Sequence, residues 1–135
     1  TAFLMANLLQ GVVDEGTGRR LRFRYGFKNQ IGGKTGTTQN HSDGWFIGIT
    51  PDLAGGVWVG AEDRSIHFQN LANGQGASMA LPIWALFMQK VYADKSLAVP
   101  QSDFQKPNGV NHVLDCGDAD REGMTDYDSS DEIFD

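Results

Sequence analysis

Apolar residues recur at Leu4, Met5, Leu8, Leu9, Val12 and Val13, the spacing of one helical face, and Gly16 and Gly18 then break the pattern. This predicts a helix from Thr1 to about Asp14 whose apolar stripe covers a sheet. From Gly18 to Asn29, Arg19, Arg20, Arg22 and Arg24 interleave with Leu21, Phe23 and Tyr25, which reads as a short strand or a loop with a solvated basic face. A strand is expected around Lys34. Gln39 to Asp43 forms a polar turn, and Trp45 to Thr50 is a strand apolar on both faces. After Pro51-Asp52 and Gly55-Gly56, Val57 to Ala61 returns as another such strand. Short links between strands imply antiparallel pairing, and two apolar faces imply a central layer covered on both sides. Gly48 and Gly60 are read as sites of close helix approach.

Glu62 to Gly76 is rich in Asn, Gln and Gly and reads as a loop. Ser78 to Ala93 is the clearest helix, with Ser78 as cap, Pro82 in the first turn, and Trp84 and Phe87 as core anchors. The periodicity ends at about Pro100. The expected fold class is α+β, an antiparallel sheet of about three strands with flanking helices over residues 1–99, followed by an acidic, disordered tail over residues 100–135.

Charge supports that division. The net charge is −6. Counted along the sequence, residues 1–100 carry +2 and the rest −8, so acidity belongs to the tail and does not oppose an anionic ligand on the body. The balance argues against nucleic acid as a partner. No apolar run is long enough to span a membrane and no signal-peptide pattern opens the chain, so the segment reads as soluble. Cys116 is a single thiol and forms no internal disulfide. His41 and His67 are isolated surface histidines without a second ligand at metal spacing, and neither metal nor cofactor is expected. Asp118 to Gly123 has the start of a calcium loop, but Ser129 stands at the twelfth position, where a glutamate is needed.

The candidate chemistry lies in Ile31-Gly32-Gly33-Lys34-Thr35-Gly36-Thr37-Thr38. In an extended strand Thr35 and Thr37 share one face, while Lys34 and Gly36 share the other. Two adjacent hydroxyls suit a carboxylate, Lys34 adds a positive charge, and Gly36 leaves the backbone open to a close ligand. Asp43, just before Trp45, reads either as positioning the turn that precedes it or as a solvated turn aspartate.

Lys34-Thr35-Gly36 with Thr37-Thr38 resembles the Lys-Thr-Gly motif of serine transpeptidases and class A β-lactamases. Leu9 to Val13, Gly16-Thr17-Gly18, Gly44 to Leu53, Val57 to Gly60 and Ala80 to Trp84 extend the similarity over about residues 1–93 to the last third of the transpeptidase domain of bifunctional, class A penicillin-binding proteins. The resemblance implies a piece of the serine transpeptidase fold, in which this strand edges a five-stranded sheet and borders the cleft. It implies acyl transfer between peptidoglycan stem peptides, with β-lactams acylating the same serine. Lys34 would stabilise charge around the nucleophile, Thr35 and Thr37 would hold the substrate carboxylate, Gly36 would keep the pocket open, and the Thr37 N–H would be an oxyanion donor. None of the seven serines is followed by lysine at the third position or asparagine at the second. The nucleophile is therefore expected upstream of Thr1, and the segment alone is expected to be inactive and prone to self-association. Its partners would be stem peptides, β-lactams and the N-terminal part of the same domain, in a protein anchored at the outer face of the bacterial cytoplasmic membrane that also carries a glycosyltransferase domain. A serine β-lactamase piece and a noncatalytic peptidoglycan-binding module are the alternatives.

Overall fold

The computed structural model describes residues 1–109. Helix α1 (Ala2–Asp14) and a single-turn helix α2 (Arg20–Phe23) precede strand β1 (Gly32–Thr37); after a short 3₁₀ turn at Gln39–His41 come β2 (Asp43–Ile49) and β3 (Ala54–Gly60), then the short α3 (Leu71–Gly74) and the long α4 (Gly76–Ala93). The three strands form one antiparallel sheet in the order β1-β2-β3, with Lys34 opposite Ile47, Gly36 opposite Trp45, and Trp45 opposite Trp58. The expected α+β class and three-stranded antiparallel sheet are both present.

One sheet face is packed and the other is covered only at one end. Phe46, Gly44 and Gly48 are buried along β2, and the alternate positions Trp45 and Ile47 are exposed. Helix α4 covers the buried face. Leu81, Trp84, Ala85 and Met88 follow helical spacing into a cluster with Val13, Leu21, Phe27, Ile31 and Phe46. The Trp84 indole stands edge-on to Phe46, with centroids 5.4 Å apart, and its Nε1 donates to the Gly55 carbonyl at 3.1 Å. Gly48 makes room for that ring, since a Cβ there would overlap the indole. On the opposite face Trp45 is 46%, Ile47 50% and Trp58 46% exposed. The expected cover on the second side is therefore partial among the described residues: Leu9 of α1 reaches the position a Gly32 Cβ would take, beside Ile49, and Trp45, Ile47 and Trp58 are left exposed.

Several local expectations change in three dimensions. The basic stretch is helical at Arg20–Phe23, and two of its arginines are tethered inward. Arg20 reaches α4, while Arg22 bonds Asp14 at 2.7 Å and the carbonyls of Phe27 and Asn29 at 3.1 and 2.7 Å. The fork of donors on Arg22 closes a loop whose carbonyls lack a ladder partner. Helix α4 begins at Gly76, so Ser78 lies in its first turn instead of capping it, and Pro82 lies inside, where it withholds an N–H from the Ser78 carbonyl. Phe87 is exposed, because the buried stripe runs through Trp84, Met88 and Val91. The space above Gly60 is filled by Trp58 and Asp43, not by a helix.

Beyond α4 the chain returns to the sheet. Ser102 Oγ donates to Asp52 at 2.6 Å, and the Phe104 amide donates to Gln30 Oε1 at 2.8 Å. The remainder of the expected tail, with His112, Cys116 and the calcium-loop-like stretch, lies outside the described residues.

Candidate functional site

Strand β1 pairs only with β2, so its other side is an edge among the described residues. The Thr38 amide donates to the Asp43 carbonyl at 3.1 Å. Antiparallel ladder bonds alternate, so the amides of Gly36 and Lys34 also point into β2, whereas those of Thr35 and Thr37 point to the free edge. The Thr35 carbonyl turns the same way and accepts from Lys34 Nζ at 2.6 Å. The edge therefore presents an unpaired Thr37 N–H beside an exposed lysine.

The side chains divide as strand alternation requires. Thr35 and Thr37 lie on the α4 side, paired across the ladder with Phe46 and Gly44; Lys34 and Gly36 lie on the open side, paired with Ile47 and Trp45. Thr37 is exposed and its Oγ1 accepts from the Gly76 amide at 3.0 Å, which anchors the strand to the N-terminus of α4. Position 76 has no room for a side chain: a Cβ would overlap the carbonyl oxygens of Gly36 and Trp45. Thr35 Oγ1 lies 2.9 Å from Thr17 Oγ1 in the loop after α1. A Cβ at Gly36 would crowd Trp45 Cβ, 3.3 Å from where it would sit.

The turn after β1 is closed by Thr38 and Asp43 through backbone and hydroxyl, not through the aspartate carboxylate. Thr38 Oγ1 accepts from the Asp43 amide at 3.2 Å and lies 3.1 Å from Ser42 Oγ. Asn40 and His41 both take positive φ, 59° and 55°. This kink tucks His41 against Gly74, so His41 is half-buried, not a surface residue, and its Nδ1 is enclosed without a partner among the described residues, as is Asp43 Oδ1. His67 is exposed, as expected. No group of three or more His, Cys, Asp or Glu side chains is gathered among the described residues.

All four expected site residues, Lys34, Thr35, Gly36 and Thr37, thus lie on one edge strand. Sequence reasoning missed their supports. Thr17 and Gly76 are 18 and 39 residues from the threonines they touch, and periodicity carries no signal for such pairs. Gly16-Thr17-Gly18 read as a helix stop and as part of the resemblance, with no contact to the strand assigned to it.

No family model matches the chain. It is 37% identical over 112 residues to penicillin-binding protein 1A of Pseudomonas aeruginosa, covering 82% of the chain and 12% of that protein. It is 36% identical over 101 residues to penicillin-binding protein 1A of Aquifex aeolicus, covering 75% and 12%, and 30% identical over 115 residues to that of Clostridium tetani, covering 85% and 14%. The chain belongs to the class A penicillin-binding protein family, as a segment of it. It spans about an eighth of the length of these relatives. No helix among the described residues is long and apolar enough to cross a membrane.

Proposed function

We propose that the segment supplies the Lys-Thr-Gly wall of a peptidoglycan D,D-transpeptidase site, and that the serine nucleophile and its base belong to another part of the same domain. The observation that carries this reading is β1 itself: among the described residues an edge strand with a free Thr37 N–H, two hydroxyls, and an exposed lysine, in a chain related over most of its length to penicillin-binding proteins 1A. The unpaired backbone of β1 suits an extended peptide laid alongside as an added strand. Lys34 would stabilise charge around the nucleophile, the Thr37 N–H would stabilise the oxyanion, and the Thr35 and Thr37 hydroxyls would bind the carboxylate of stem peptide or β-lactam. The protein that carries the segment would act at the outer face of the cytoplasmic membrane. The relatives' names favour this reading over a β-lactamase.

Stopped-flow acylation by a penicillin, in the longer protein that includes this segment, tests it. Lys34→Ala should slow acylation by about 10²- to 10³-fold, the cost of losing an oxyanion-type contact. Thr37→Val should chiefly weaken capture of carboxylate-bearing substrates, because its N–H is kept. Near-wild-type acylation of the lysine variant would overturn the assignment.

A further inference from the structure

A threonine hydroxyl has one proton, and its direction depends on what else touches the oxygen. The Gly76 amide can only donate, so its bond to Thr37 Oγ1 occupies a lone pair and leaves the Thr37 proton free for a ligand. Thr35 Oγ1 meets Thr17 Oγ1, and either hydroxyl can donate in that pair. Thr35 donates outward only when Thr17 gives its own proton to Thr35. The short segment that carries Thr17 also carries Arg20, whose Nη1 donates to the Ala77 carbonyl and to Ser78 Oγ, each at 3.0 Å. Those two residues directly follow Gly76 in the first turn of α4. One short stretch of chain therefore touches Thr35 directly and reaches Thr37 through the helix that holds it.

We infer that Thr17 and Arg20 are positioning residues for the carboxylate grip: Thr17 turns the Thr35 hydroxyl proton toward the ligand, and Arg20 holds the first turn of α4 so that Gly76 does the same for Thr37. The inference rests on the reading of β1 as a carboxylate-binding strand. Neither residue touches the ligand. Their effect is on discrimination between an acid and its neutral amide, because a misdirected proton costs the acid a charge-assisted hydrogen bond and costs the amide less. Arg20 contributes geometry through a planar fork, so lysine should replace it poorly.

Isotope-labelled chain titrated with acetyl-D-alanyl-D-alanine, and separately with the C-terminal amide of that dipeptide, tests this through the amide shifts of Thr35 to Thr37. Three-bond couplings report the side-chain rotamers of Thr35 and Thr37 in the same samples. Wild type should hold one rotamer at each threonine and prefer the acid by about tenfold, the worth of one charge-assisted bond. Thr17→Val should release the Thr35 rotamer and reduce the preference severalfold, Thr17→Ser should restore both, and Arg20→Lys should act mainly on Thr37. Thr17→Ala gives the same reading if valine crowds the loop, with unchanged amide shifts at Val13 and Leu21 as the mark of a folded variant. An acid preference that survives removal of the Thr17 hydroxyl, with the Thr35 rotamer intact, overturns the inference alone. A wild-type chain that binds acid and amide alike overturns the carboxylate reading, and the inference falls with it.

Discussion

The indole of Trp84 lies in the space that a side chain at position 48 would fill, and this contact seats α4 on β2. Trp84 is 1% exposed, stacks edge-on to Phe46 and bonds the Gly55 carbonyl, so helix and sheet share one close-packed seam. Gly48→Ala should destabilise the chain by about 1 to 3 kcal/mol, since added volume in a filled core forces neighbours out of place. Trp84→Ala should cost about 3 to 5 kcal/mol, as for other large aromatic truncations. Urea titrations followed by circular dichroism check both; a Gly48→Ala midpoint equal to wild type would mean that the helix stands farther from the sheet.

Gly76 gives a sharper test of how α4 meets the site. Backbone carbonyls of Gly36 and Trp45 leave no space for a Cβ, and backbone yields less readily than a flexible side chain. Gly76→Ala should push the start of α4 away from β1, break the bond to Thr37 Oγ1 and destabilise the fold by about 1 to 3 kcal/mol. Amide exchange should accelerate at residue 76 and in the first turn of α4. Unchanged exchange there would contradict the close approach.

Tyr92 predicts an alkaline limit. Burial raises its phenol above the ordinary value of 10.0, and the bond from Asn29 opposes that shift only in part. A phenol whose folded pKa is raised contributes its stability in full below the unfolded value, and loses it as pH climbs from there through the folded one. Stability should therefore fall above about pH 10, where the unfolded chain ionises first. Tyr92→Phe should flatten that fall and cost about 1 to 2 kcal/mol at neutral pH by leaving the buried Asn29 amide unpaired. Urea melts of both chains at neutral and alkaline pH make the comparison, and an equal alkaline loss would exclude Tyr92 as its source.

The 135-residue chain should form no covalent adduct with a fluorescent penicillin. None of its serines has a lysine three positions on, and electrostatic stabilisation does not act without an attacking group. Intact-mass spectrometry after incubation with the drug checks this. A penicilloyl mass shift on the chain would contradict the assignment of the nucleophile to another part of the domain.

The helices at either end, the three antiparallel strands and the placing of Lys34 to Thr37 on one strand were legible in the linear chain, because each depends on local spacing: a helical stripe, period-two alternation, or a contiguous stretch. The resemblance to class A penicillin-binding proteins could likewise be read from contiguous residues. What the chain alone left undecided depends on distant pairs. Apolar residues on both faces of β2 showed that each face is suited to burial, but only the packing of α4 decided that Phe46 is covered while Trp45 and Ile47 are not. Four interleaved arginines looked alike until Arg20 and Arg22 found acceptors on other elements and turned inward. Phe87 looked like a core anchor until α4 settled with Trp84, Met88 and Val91 on the sheet. The supports of the site, Thr17 beneath Thr35 and Gly76 beneath Thr37, belong wholly to the tertiary structure. A hydrogen bond between residues far apart in sequence leaves no periodic trace, and it forms only once the elements carrying them have packed.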